Sequence, residues 1–329
     1  ITNFYEVLPA DNIETAFWLE SDRMLSLAFT PNSLEVQRSV VIEEFKQRYL
    51  NQPYGDVWLE LRPIAYKEHP YQWATIGKEI SHIEEATMED VKAFFKRHYS
   101  PQNAILSITG DYELNQVQDL VQKWYGDIPM GNHYVRNLKK EPMQTEARSK
   151  TIERQVPADA FYYAFPMPNR LDDRYYTVDL LSDILGRGKS SRLYQKLIKQ
   201  TELATEVGCY VTGSIDEGLI MISGKARNKG TFEAIHDAIW SELDLIKSEE
   251  MHEDELRKVK NKFETAKVFG DQSALNKAMN LASFELLGDA SQINHELEKY
   301  SQISTMDIKR VANDLFDRNK ENKLLVKAI

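Results

Sequence analysis

Residues 33–49, SLEVQRSVVIEEFKQRY, read as one helix whose pattern is broken at a single position. With each residue about 100° round from the last, Leu34, Val41 and Phe45 share a face, flanked by Ile42 and Tyr49. Glu43 falls on the opposite side, where a carboxylate meets water. Glu44 falls between Val40 and Val41, inside the apolar arc, with Gln37 beside it two turns back. A carboxylate turned toward apolar neighbours is costly unless it is paired, hydrogen-bonded or bound to a metal. Two readings are open on the pattern alone. One is an ion pair with Arg48, one turn on, in a helix rotated slightly from ideal. The other is a metal ligand, since inward-facing helix carboxylates supply oxygen donors to zinc.

Composition bounds the rest. A chain of 329 residues is long enough for two domains, and 42% hydrophobic residues can build a sizeable core. The net charge of −10 argues against a general nucleic-acid binder, which needs clustered Lys and Arg against phosphate. One cysteine, Cys209, excludes an intrachain disulfide and fits cytosol, periplasm or organelle matrix alike. No apolar run approaches the roughly 18 residues of a membrane span, and no signal peptide is visible.

Outward from the helix, TNFYEVL (2–8) predicts a strand that begins abruptly. A helix follows from the Ala10-Asp11-Asn12 cap to about Ala28, and Asn32-Ser33 caps the Glu44 helix. A helix is expected near 56–66, then a loop through His69-Pro70-Tyr71 to Gly77. Thr87 caps the helix MEDVKAFFKRHY with Glu89 or Asp90 in its first turn, and AILSIT (104–109) predicts a buried strand. Residues 129–149 are polar and without period, which marks an interdomain linker. Beyond it, strands are expected near 150–156, 160–166, 206–213, 218–226 and 323–329. Helices are expected at 172–185 with Gly186 as C-cap, after a Gly188–Ser191 cap, and at 230–248, 253–287, 290–300 and 304–318. The Gly186–Ser191 stretch lacks the full phosphate-loop pattern and follows a helix, so it reads as a turn with a helix cap. Helices alternating with strands give an α/β or α+β class.

The two halves look alike. Thr87-Met88-Glu89-Asp90-Val91 resembles Thr305-Met306-Asp307-Ile308. Each opens a helix with an aromatic eight residues beyond the aliphatic, Tyr99 and Phe316. Each helix leads through a polar turn to Asn and a short apolar strand. If the halves are copies, the second spans about 180 residues and the first lacks roughly 70 at its start. The expectation is therefore a first half truncated before Ile1.

Here the residues resemble a family. Gln37-Arg38-Ser39-Val40-Val41-Ile42-Glu43-Glu44 is similar to the third-ligand helix of the insulinase/pitrilysin-type zinc peptidases, the inverzincins, closest to their bacterial, processing-peptidase-like branch. Ala65-Tyr66-Lys67-Glu68-His69-Pro70-Tyr71 with Gly77, Tyr99–Ala104, and Ser190-Ser191-Arg192-Leu193-Tyr194 agree, in order along nearly the whole chain. The resemblance implies an α+β protein of two homologous domains, each a mixed, mainly antiparallel sheet with helices packed on it. The expected division is 1–130 for a truncated first domain carrying the third-ligand helix, 131–149 for a linker, and 150–329 for a non-catalytic homologous domain.

It also implies chemistry. The family's first half carries H-x-x-E-H, two histidines holding zinc and a glutamate as general base. By motif position Glu44 matches the third zinc ligand, and Gln37 stands where an outer-shell glutamate is frequent, able to hydrogen-bond but bringing no charge. This sequence contains no H-x-x-E-H: its histidines are at 69, 82, 98, 133, 236, 252 and 295, none with a second four residues on. They read as structural, with His98 placed where a cation suits a helix end. No catalytic residue is then expected within the chain, and the general base is expected upstream of Ile1. The implied activity is zinc-dependent endopeptidase cleavage of peptides or unfolded proteins, with this chain inactive alone. The implied partners are a peptide substrate and a homo- or hetero-dimer mate. The alternative is a non-catalytic family member serving as partner subunit or scaffold. A binding module unrelated to the family is the reading from another class.

Overall fold

The computed structural model describes residues 1–329. In chain order its helices are α1 (Ile13–Leu25), α2 (Pro31–Phe45), α3 (Val57–Ala65), α4 (Ile80–Glu85), α5 (Met88–His98) and α6 (Leu114–Tyr125). Strands β1 (Arg148–Arg154) and β2 (Ala160–Met167) lead to α7 (Arg174–Gly186) and the single turn α8 (Arg192–Tyr194). Then come β3 (Ala204–Val211), β4 (Gly218–Ala226), α9 (Phe232–Ser248), α10 (Glu253–Gly270), α11 (Ala274–Leu286), α12 (Glu296–Ser301), α13 (Thr305–Leu315) and β5 (Asn322–Ala328). The class is α+β, as expected.

The chain divides into two compact units that do not follow its linear halves. One gathers Ile1–Ile42, Glu79–Asn137 and Ala266–Asn294; the other gathers Glu43–Lys78, Leu138–Thr265 and His295–Ile329. The expected division at 130 and 150 stands as a proposal about ancestry.

The larger unit holds a five-stranded sheet in the order β1-β5-β2-β4-β3, with β1 parallel to β5 and the other pairs antiparallel. Alternation sorts its side chains. Phe161, Tyr163, Phe165 and Met167 of β2, with Ile220 and Ile222 of β4, meet α7, α9 and α13. Ala160, Ala164, Leu219, Met221, Leu324 and Val326 point the other way and meet Val57, Leu61, Ile64 and Ala65 of α3. Both faces are covered, which is why β2 and β4 read as unbroken apolar runs. Two small alanines face α3, leaving room for it against the strands.

Gly186 is the last helical residue of α7 rather than a left-handed cap. A Cβ there would stand 2.0 Å from the backbone nitrogen of Cys209. The glycine lets α7 lie directly on β3. Ser191 precedes α8, but its hydroxyl bonds Gly188 O instead of a helix N–H. The helix expected over 253–287 is two helices, α10 ending at Gly270 and α11 capped by Ser273. Likewise α2 starts at Pro31, with Thr30 and Ser33 bonding each other's backbone N–H, so Thr30 is the cap rather than Asn32-Ser33.

The smaller unit has a modest core of Phe17 from α1 with Val117 and Leu120 from α6. Neither 2–8 nor 104–109 is a strand, which corrects the expectation and leaves the protein with one sheet instead of two. A strand exists by virtue of a hydrogen-bonded neighbour, and the only sheet lies in the other unit. The repeat is nonetheless visible in local structure. Thr87 and Asp90 form a capping box on α5, and Ser304 and Asp307 form the same box on α13. The equivalence is thus Thr87 with Ser304, one residue off the identity of the letters. Val91 and Ile308 then match, as do Tyr99 and Phe316, and each helix is followed by a 3-10 turn. Surroundings differ: α13 buries Ile308, Val311, Ala312 and Leu315, whereas α5 buries nothing and Phe94 is 59% exposed.

Candidate functional site

Glu44 lies in the last turn of α2, which passes at Lys46–Leu50 into a π-helical turn. Of the whole helix only Phe45 is buried. Val40, at one edge of the arc assigned to Glu44, is 54% exposed. The Glu44 side chain is 49% exposed and its Oε1 lies 3.5 Å from Arg48 Nη1. The sequence pattern put this carboxylate in an apolar arc, but Val36 and Val40 of that helix are exposed and half of the Glu44 side chain meets solvent. Gln37, on the same helix, is exposed too. Next to it, Arg38 is engaged: its Nη1 and Nη2 donate to Ile83 O (2.7 Å) and Ala86 O (2.9 Å), carbonyls at the end of α4.

A metal test follows from the donors. No group of three or more His, Cys, Asp or Glu side chains gathers anywhere in the chain. Glu44 offers one oxygen donor without companions, and a metal site needs three or four. These residues alone do not fit a bound metal ion, so no chemical step is derived through one.

The histidines sort by surroundings. At the end of α5, the His98 ring rests between Phe94 and Tyr134. Burial, then the neighbouring Arg97, lowers its pKa, so the cation expected at this helix end is disfavoured. His236, on α9, stacks on Tyr163, and burial lowers its pKa against the pull of Glu321. His69 is the one histidine fully enclosed, 4% exposed. Its Nδ1 accepts from Tyr71 N–H (3.1 Å), which leaves Nε2 to donate to Asp216 Oδ2 at 3.0 Å. Tyr66 Oη donates to Glu217 O, and its ring meets those of His69 and Tyr71 edge-on or tilted. The motif segment 65–71 is therefore pinned to the turn between β3 and β4. Sequence reading treated His69 as an ordinary loop residue. Its partner lies 147 positions away, and no local pattern announces it.

Two residues of the last motif segment have structural roles. Leu193 is fully buried, and Arg192 makes a two-pronged pair with Glu255 (3.0 and 2.8 Å) that ties α8 to α10.

Residues 85–263 match the peptidase M16 inactive domain. The chain belongs to the peptidase M16 family. Along 99% of its length it is 25% identical to a Helicobacter pylori protein named zinc protease PqqE, covering 74% of that protein. It is 22% identical to the Bacillus subtilis protein named uncharacterized zinc protease YmxG, over 96% of this chain and 76% of that one. A crystal structure of a protease from Helicobacter pylori superimposes with a TM-score of 0.89 at 25% identity, covering 97% of this chain and 77% of that one. A peptidase M16 inactive domain from Pseudomonas fluorescens shares the fold, with a TM-score of 0.84, 21% identity, and coverage of 97% and 76%. The M16 assignment confirms the insulinase-type resemblance carried by the four motif segments. No helix of the M16 chain is long and apolar enough to cross a membrane.

Proposed function

We propose that this M16 chain is the larger part of a zinc-dependent metalloendopeptidase acting on peptides or unfolded proteins. Its share of the metal site is Glu44, with Gln37 supporting from one turn-pair back. The histidine ligands and the general base would come from an H-x-x-E-H helix outside residues 1–329. The observation that carries this reading is similarity along nearly all of this chain to proteins named zinc proteases; the motif resemblance, and not the structure, assigns Glu44 the third-ligand role. The chain's own residues would orient one donor and build the wall of the substrate cleft. Alone, residues 1–329 should neither hold zinc tightly nor cleave peptides. In the ancestral sense, 1–130 and 150–329 are then the two homologous domains, joined by 131–149.

A second reading is a non-catalytic partner subunit or scaffold. What favours it is that the Glu44–Arg48 pair is complete without a metal. The two separate on the natural gene product that contains residues 1–329, with zinc measured by mass spectrometry and cleavage by a quenched fluorescent peptide. The peptidase reading expects one zinc per chain, with zinc and activity both lost on Glu44→Gln. Zinc content unchanged by that substitution would overturn the ligand role. A gene product without zinc in either form would favour the scaffold.

A further inference from the structure

Three consecutive backbone N–H groups converge on one carboxylate. Lys67 N donates to Glu141 Oε1 at 2.8 Å, while Glu68 N and His69 N both donate to Glu141 Oε2 at 2.9 Å. Successive N–H groups forming such a concavity make an anion-binding nest, and backbone nests of this kind capture terminal carboxylates of peptides. The three donors precede the 3-10 turn at Pro70–Gln72, so they are not helix-terminal groups. They sit on the chain just after α3, between two fixed points. Arg148 Nη1 holds Ile64 O and Ala65 O on one side, and the buried His69–Asp216 pair holds the other. Both flanks of the nest are thus fixed by contacts that do not involve Glu141.

The occupant is of a different kind. Glu141 belongs to a stretch, residues 129–145, with no helix or strand. On one side of it Lys139 adds an ion pair to Glu68 between two exposed side chains, worth little in water; on the other, Gln144 is buried and donates to Glu146 O, Asn319 O and Glu321 O, which anchors the stretch three residues beyond Glu141. Burial and Arg148 both push the Lys67 ammonium pKa down, and Glu141 alone among the named groups opposes them. Lys67 and Glu68 are exposed and Glu141 is half-buried, so the nest lies at the protein surface.

We propose that the Lys67–His69 nest is a carboxylate-binding site for the free C-terminus of a peptide, with Glu141 as a built-in occupant that a ligand displaces. A peptide as the source of the carboxylate rests on the peptidase reading above; the nest itself does not. A C-terminal carboxylate is the product group that every peptide-bond cleavage creates. The linker would then act as a plug that yields to product or to a peptide end.

The 329-residue chain labelled with [15N]histidine contains seven histidines, and His69 is assigned by the signal lost in His69→Gln. The His69 amide reports directly on the nest. In Glu141→Ala its proton should move upfield, as a bond to a charged acceptor is lost. Acetyl-alanyl-alanine should return it downfield, and the same peptide with a C-terminal amide should not. Wild type should need at least about ten-fold more of the acid for the same displacement, because a tethered competitor acts at millimolar effective concentration. Should Glu141→Ala not fold, Glu141→Gln serves in its place, with the same response to the free acid and a weaker competitor. A His69 amide that ignores the free acid, or follows acid and amide equally, overturns the proposal. Equal affinity in wild type and variant overturns the plug. A response to acetate but not to the peptide acid shows a small-anion nest and overturns the peptide assignment, whatever the fate of the peptidase reading.

Discussion

Gly186 at the end of α7 lies against Cys209 of β3 so closely that any Cβ would overlap the strand's backbone. A clash at the far end of a side chain can be relieved by a rotamer change, but this one cannot, because a Cβ is fixed by its own backbone and the nearest atom it meets is main chain. Gly186→Ala should therefore sit at or beyond the upper end of the roughly 1–3 kcal/mol typical of overpacking. Urea unfolding followed by the far-ultraviolet helix signal checks this. A loss smaller than about 1 kcal/mol would mean that α7 can lift off β3. Cys209→Ala, which removes only a sulfur, should cost less than Gly186→Ala.

The paired capping boxes give a comparison inside one molecule. Ser304→Ala frees an N–H at the start of α13, whose apolar face is buried, and should lower global stability by about 1 kcal/mol. Thr87→Ala removes the same bond from α5, which buries no side chain. Its effect should be local, seen as faster amide exchange in α5 with little change in the urea midpoint. Both box carboxylates have lowered pKa values, Asp307 through the Ser304 side chain first. A lowered folded-state pKa gives stability that is present above the unfolded value and lost as pH falls through the folded one. Asp307→Asn should flatten that acid-side slope.

These boxes show what can be read from sequence here. A cap and its helix are local, so the Thr87 cap was legible, as were β2 and β4, apolar on both faces, whereas matching letters paired Thr87 with Thr305 and passed over the Ser304 cap. What escapes is any feature that depends on a distant partner. AILSIT is as apolar as a strand should be, but no neighbouring strand pairs with it. The covering of one sheet face by α3 could not be read, because α3 precedes the sheet by the length of the linker and more. Neither could the Glu141 contacts, whose donors are backbone groups that carry no letter. Glu44 stood out in the helical pattern, and the structure gives it an ion pair with Arg48. Its exposure was not legible, because helical periodicity gives direction and not what stands opposite.

Tyr300 Oη donates to Asp179 at 2.6 Å, and its ring stacks on Phe263 at 3.6 Å. Burial holds the Asp179 carboxyl above the usual carboxylate range, with the Tyr300 hydrogen bond acting against that rise. A raised folded-state pKa means the folded state binds the proton more tightly, so this group's contribution falls as pH rises through that value. Tyr300→Phe removes the compensating donor and should raise the carboxyl further. The variant should lose about 1–3 kcal/mol at neutral pH. The loss should shrink as the pH approaches the carboxylate range, where Asp179 is neutral in both proteins. Paired urea curves at neutral and mildly acid pH test this. An equal loss at both would assign the effect to packing against Phe263.

The Glu44–Arg48 pair joins two half-exposed or exposed side chains one helical turn apart, and pairs of this kind contribute about 0.3–0.5 kcal/mol. Glu44→Gln in residues 1–329 should therefore change the urea midpoint very little, and Arg48→Gln should behave alike. That near-neutrality makes the substitution useful. If zinc and activity vanish with Glu44→Gln in the full gene product while its unfolding curve is unmoved, the loss belongs to ligation and not to folding. Arg48→Gln is the control: it breaks the same ion pair but leaves the carboxylate free to bind, so zinc should be retained. A matching zinc loss in both variants would show that the pair, and not the oxygen donor, is what the site requires.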